Sequence, residues 1–117
     1  MKPYSLPKSQ MVSGKLAVSN LLEKGKGGTS GCLRYKWVAR LEESPSRIMV
    51  SVPKKSFRRA VKRNLLKRRM REAYRLQKHL IGPGLDIIFI YVSKAILPFE
   101  AIYADMTAAL TAIAANE

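Results

Sequence analysis

A chain of 117 residues with 47% apolar and 8% aromatic side chains has the size of one domain and too much hydrophobic material for a disordered tail. Its 22 Lys and Arg against 8 Asp and Glu leave a formal charge of +14, which points to a polyanion as partner: DNA, RNA or an acidic membrane surface. The longest strongly apolar run, 87–92, is far too short to cross a bilayer, residues 1–15 lack an apolar stretch of signal-peptide length, and the single Cys32 permits neither an intrachain disulfide nor a thiolate metal site, so a reducing, cytoplasmic setting is expected.

In chain order, residues 1–12 carry two prolines and little periodicity and read as an extended lead-in. SGKLAVSNLLEKG, 13–25, predicts a short helix, with Ser13 as its cap and Gly25 ending it in the left-handed conformation. GKGGTSG, 25–31, reads as a flexible loop. In LRYKWVAR, 33–40, Leu33, Tyr35 and Trp37 alternate with Arg34 and Lys36, the pattern of a strand. EESPS predicts a turn, and RIMVSV, 47–52, a second strand antiparallel to the first. After Pro53 a long helical pattern runs from about Phe57 to His79 or Leu80 and stops at GPG, 82–84. DIIFIYV is apolar throughout, as a buried strand is. Pro98 suits the first turn of a last helix, in which Phe99, Ile102, Tyr103, Met106, Leu110 and Ile113 keep three-four spacing. Helix, two or more strands, long basic helix, strand, helix: this order predicts helices packed on one small sheet, an α/β sandwich of the α+β class, as a single domain over 1–117.

The basic helix is the conspicuous feature. Between Lys54 and Arg75 there are eleven basic residues and one acidic, Glu72. At about 100° per residue, Arg63, Lys67, Arg71 and Arg75 form one i, i+4 series with Asn64, Arg68 and Lys78 beside it. Leu65, Leu66, Met70, Ala73, Leu76 and Leu80 collect opposite as the expected core face, with the stems of Lys62 and Arg69 along its edge. Like charges at this spacing repel by a few tenths of a kcal/mol each. A helix that keeps them is held by tertiary packing and discharges the repulsion on an anion. Arginine's planar fork suits phosphate; six phosphate contacts predict a log-log salt slope of roughly −4 to −5.

No second helix stands close enough for a helix-turn-helix, no leucine heptad follows, and zinc-finger ligands are absent, which disfavours DNA. Against RNA such a stripe grips backbone, bulges and junctions by shape. A membrane is disfavoured because the opposite face is committed to a core. Catalytic machinery is not evident. His79 is the only histidine, Asp86 and Asp105 stand apart in the chain, and phosphate loop, zinc motif and nucleophile elbow are all missing, so neither a catalytic nor a metal-ligating residue is assigned.

SVPKKSFRRAVKRNLLKRRMREAYR, 51–75, resembles the signature of the protein subunit of bacterial ribonuclease P: Ser51 and Val52, Lys54 and Lys55, Ala60 and Val61, Arg63 and Asn64, Lys67 and Arg68, Arg71 and Glu72, at fixed spacing. LPK near the start, the helix closing at Gly25, DIIFIY and the final amphipathic helix extend the likeness over most of the chain. The resemblance implies a sheet of about four strands with three helices in the order α-β-β-β-α-β-α, similar to the ribosomal protein S5 domain 2-like fold with a left-handed βαβ crossover. It implies a 1:1 ribonucleoprotein that removes the 5′ leader of precursor tRNA, with Mg²⁺ and the chemical step belonging to the catalytic RNA subunit. Lys54, Lys55, Arg59, Lys62, Arg63, Asn64, Lys67, Arg68, Arg71 and Arg75 would then contact that RNA. The single-stranded leader would enter a cleft beside the first helix, where Val18 and Leu22 stand at positions the family commonly fills with aromatics; Tyr35, Trp37 and Phe57 are the candidates to make up the stacking. Pro53 occupies a place where the family often has Ser. The alternative is a structural RNA-binding protein of ribosomal type without a part in cleavage.

Overall fold

The apolar run after GPG forms the strand that organises the molecule. In the computed structural model, which describes Gln10, residues 15–40 and residues 45–116, this strand, β4 (Leu85–Tyr91), has neighbours on both sides. Before it come α1 (Lys15–Lys24), β1 (Lys26–Ser30), β2 (Leu33–Ala39), β3 (Arg47–Ser51) and α2 (Ala60–Gln77); α3 (Phe99–Ala115) follows. The sheet order is β1-β2-β4-β3, with β1–β2 and β2–β4 antiparallel and β3–β4 parallel. This is the α+β sandwich and the element order expected. Ser13, the lead-in over 1–9 and residues 41–44 of the predicted turn lie outside the described residues.

Alternation along the strands divides the sheet into two faces. Leu33, Tyr35 and Trp37 of β2 share one face with their β4 partners Tyr91, Phe89 and Ile87, and with Ile48 and Val50 of β3. Onto this face pack α2 and α3 through Leu66, Met70, Ala73, Tyr74, Ile102, Met106, Leu110 and Ile113, all essentially buried. Gln77, buried between the two helices, donates its amide to the carbonyls of Ala73 and Tyr103, 3.1 Å each, and accepts from the Thr107 hydroxyl. The other face carries α1, which buries Leu21 against β2 and β4 near Ile88.

Several expectations need correction. The stretch 25–31 is not a loop but the edge strand β1 and the start of a hairpin. Gly31, at φ +55°, is the first of its two linking residues, where a right-twisted hairpin favours glycine. Asp105 of α3 closes that turn: its carboxylate accepts from the Cys32 N–H at 2.9 Å, and its carbonyl from the Ser30 hydroxyl at 2.9 Å. Gly25 does not adopt the left-handed conformation. It is needed for close approach instead, since a Cβ there would stand 2.3 Å from the Leu21 carbonyl oxygen that its own N–H reaches at 3.0 Å. The strands over 33–40 and 47–52 do not pair with each other; β4 lies between them. The basic helix begins at Ala60 rather than Phe57 and gives way to a 3-10 turn, Lys78–Leu80.

Candidate nucleic-acid interface

The buried side of α2 is rotated from the one the leucines suggested. Leu66, Met70, Ala73, Tyr74 and Gln77 face the core, whereas Leu76 is 44% exposed, Val61 is 79% exposed, Leu80 lies at the surface and Leu65 is only half-buried. Packing of α2 against both the sheet and α3 selects this arc, and it brings Tyr74 and Gln77 inward at positions the hydrophobic pattern did not require.

The cations divide accordingly. Asn64, Arg68, Arg71 and Lys62 are exposed; Lys67 and Arg75 are half-buried at the flanks. Arg75 forks onto Glu72 through two contacts, at 3.3 and 3.2 Å. Among the described residues neither Arg68 nor Arg71 is paired with an acid. Arg63 differs from its series. One of its terminal nitrogens donates to the carbonyls of both Phe57 and Arg58, at 2.7 and 2.8 Å, so this guanidinium folds back and braces the turn into α2. Arg59 caps the helix by backbone alone. Lys54 and Lys55 occupy an exposed turn just before it, in which Ser56 and Phe57 return their N–H groups to the Pro53 carbonyl. Arg69 reaches across to the Leu97 carbonyl at 2.6 Å, pinning the segment between β4 and α3. The result is a cationic band from the 54–59 turn along the outer side of α2 to the exposed Lys78, with His79 exposed beyond it.

The expected leader cleft is brought together only in part. Val18, half-buried, and Leu22, 42% exposed, sit on α1 over the outer face of the sheet. Tyr35 and Trp37 are 8% and 6% exposed on the opposite face, and Phe57, 6% exposed, packs its ring on Tyr91 at 5.9 Å. These three aromatics are core residues and present no ring to a cleft under α1. Lys26 stands over the Trp37 ring at 5.6 Å, closing its remaining edge. What flanks α1 instead is Met49, Ser51 and Ile90, all half-buried on the outer face, with exposed Arg34 nearby and Lys36, whose ammonium donates to the Leu22 carbonyl at 3.0 Å. Alternation in RIMVS carries that signal: Met49 and Ser51 fall out of step with Ile48 and Val50.

Asp86 and Asp105 are committed elsewhere. Asp86, buried, accepts from Arg47 Nε and Nη2 at 2.8 and 2.7 Å and lies 3.0 Å from Arg40. Asp105 holds the hairpin turn. The described residues contain no group of three or more His, Cys, Asp or Glu able to hold a metal, and no helix among them is long and apolar enough to cross a membrane.

Comparison with known proteins places this geometry. Residues 6–114 match the family model for ribonuclease P. The ribonuclease P protein component of Porphyromonas gingivalis is 36% identical over an alignment of 122 residues, covering 97% of this chain and 89% of the relative. That of Chlorobaculum tepidum is 42% identical over 87 residues, 69% of this chain and 56% of the relative. Solved structures of the RNase P proteins of Staphylococcus aureus and Thermotoga maritima superpose with TM-scores of 0.79 and 0.77 at 24% and 21% identity, covering 91% and 87% of this chain and 96% of each of theirs, a likeness of fold. With nearly the whole length matched by the family model and one relative above a third identical throughout, the chain belongs to the ribonuclease P family as a bacterial protein component.

Proposed function

We propose that this chain binds the ribonuclease P RNA through the outer side of α2 and the 54–59 turn, and the single-stranded 5′ leader of precursor tRNA beside α1. In this reading it raises substrate affinity while the RNA breaks the bond. The observation that carries it is the cationic band itself: Asn64, Arg68 and Arg71 are exposed on a helix whose other side is locked into the core, and no acid of another element meets them among the described residues. A row of like charges without counter-charges remains unfavourable until phosphates replace the missing anions. Beside α1, the half-buried side chains of Val18, Met49 and Ile90 offer apolar contact to bases, with Arg34 and Lys36 near enough in the sheet to meet their phosphates. Without an aromatic ring there, leader binding forgoes the roughly 1–3 kcal/mol per base that stacking contributes, so affinity for the leader rests more on charge.

Among the described residues, Glu72 and Asp86 are engaged by arginines and Asp105 by a turn, which suits a subunit that positions rather than reacts. Mg²⁺ held by the RNA and its substrate would supply the activated water and stabilise charge on the phosphate oxygens.

The test is cleavage of precursor tRNA at low Mg²⁺ by the cognate RNA subunit with and without the protein. Wild type should stimulate strongly, protein alone should do nothing, and Arg68→Ala/Arg71→Ala should need a much higher protein concentration for the same effect. Cleavage by the protein alone, or a double variant indistinguishable from wild type, sinks the proposal.

A further inference from the structure

A cavity of about 380 Å³ opens at the far end of the cationic band, where the C-terminus of α2 meets the residues before β3 and the link into β4. Its size is just above the roughly 300 Å³ at which ligand pockets begin, which suits one ring system and not a longer segment. Tyr74, buried, forms its floor; Ile81, Pro45 and Pro83 supply apolar walls; Lys78 and Gln10 stand at the rim. The wall is fixed before any ligand arrives. The Ser46 hydroxyl donates to the Gly82 carbonyl at 2.7 Å and accepts from the Leu85 N–H at 3.1 Å, tying both sides of the cavity together. Lys78 spends one of its three donors on the Gln10 side-chain oxygen at 2.9 Å and has no acid beside it among the described residues.

The position of Lys78 connects this cavity with the band. Lys67, Arg71 and Lys78 follow one line along α2 and its 3-10 continuation, four and then seven residues apart. At about 1.5 Å per residue their Cα atoms are about 6 and then about 10 Å apart, so a phosphate backbone lying on the first two is led to the mouth. A polyanion that tracks this line and meets an apolar slot with an ammonium at its lip has one component that fits, a base swung out of its stack.

Resting on the RNA-binding reading above, we infer that the cavity bounded by Tyr74, Ile81, Pro45 and Pro83 receives one unstacked nucleotide of the bound RNA, base inward and phosphate on Lys78. Gln10, whose oxygen is occupied by Lys78, keeps its amide N–H groups for an acceptor on the base edge.

The experiment titrates the four nucleoside monophosphates, and inorganic phosphate alone, into the full chain while following backbone amides by NMR. Saturable shifts at Ile81, Gly82 and Lys78, centred in the millimolar range, are expected with at least one nucleotide and not with phosphate. Pro45→Trp, which fills the mouth and leaves its own carbonyl contact to Arg40 in place, should abolish them; Lys78→Ala should weaken them severalfold. Affinity for the RNA subunit should fall about fivefold in Pro45→Trp, near the low end of what one base contact contributes. Absence of saturable shifts with every nucleotide, or equal shifts with phosphate, overturns the inference. So does unchanged RNA affinity in both variants. Arg68→Ala/Arg71→Ala separates the two claims: if it loses RNA while Pro45→Trp does not, only the pocket falls; if it binds RNA like wild type, the RNA-binding reading falls.

Discussion

Arg63 belongs by sequence to the cationic row and by contact to the fold. Its two hydrogen bonds to the carbonyls of Phe57 and Arg58 brace the turn that leads into α2. Bonds from a charged donor contribute more than neutral ones, and Arg63 is half-buried. Arg63→Ala should therefore cost about 1–2 kcal/mol in urea unfolding, whereas Arg71→Ala should stay within about 0.5 kcal/mol and lose RNA affinity instead. Measuring stability and affinity on the same pair separates the two roles. A helical wheel places Arg63 beside Lys67 but does not reveal that the helix starts three residues late, leaving two carbonyls within reach. Trp37 and Tyr35 lie away from α1 for a related reason. An aromatic in a strand facing a helix layer and one facing a ligand look the same in sequence, and only the location of α1 on the other face tells them apart.

At the scale of elements, β4 and α3 were legible because continuous apolar character and three-four spacing each admit one structure. The edge strand β1 was not. Gly27 and Gly28 look like loop residues, yet Gly28 pairs with Tyr35 and is bare because the Tyr35 ring occupies its place: a Cβ there would stand 2.5 Å from the hydroxyl. The pairing of β3 was equally hidden, since a turn between two strands suggests a hairpin and nothing local announces that β4 will insert between them. One residue does report it afterwards. Asp86 of β4 sits in register with Arg47 of β3 and is forked by it, with Arg40, just beyond β2, on its other side. Asp86→Ala strands two guanidinium groups around an apolar gap. A loss of about 3 kcal/mol is expected, at the low end for a buried network because Arg47 is 29% exposed, visible as a lower urea midpoint.

For the whole molecule, two helices on one face of a four-stranded sheet and one on the other hold the outer side of α2 as a rigidly backed cationic band. Family membership was legible because it rests on the fixed spacing between 51 and 75, which survives errors in strand pairing and helix phase. The fold should lose stability in alkali. Burial pushes the Cys32 thiol, helped by the neighbouring Asp105 carboxylate, and the Tyr74 hydroxyl each up to about 12, from ordinary values of 9.0 and 10.0. The unfolded chain thus loses these protons while the folded one keeps them, so their contribution is complete below about pH 9 and declines as the pH climbs toward about 12. The urea midpoint should drop between pH 8 and pH 10.5, with a smaller drop in Cys32→Ala. The Gly31–Cys32 turn has a practical consequence too. Because Asp105 of α3 latches that turn over a buried sulfur, a maleimide added to the native protein has to wait until α3 lifts away, and the labelling half-time becomes a clock for that opening. Ribonuclease P RNA, by binding the closed form, should slow the clock in step with its occupancy.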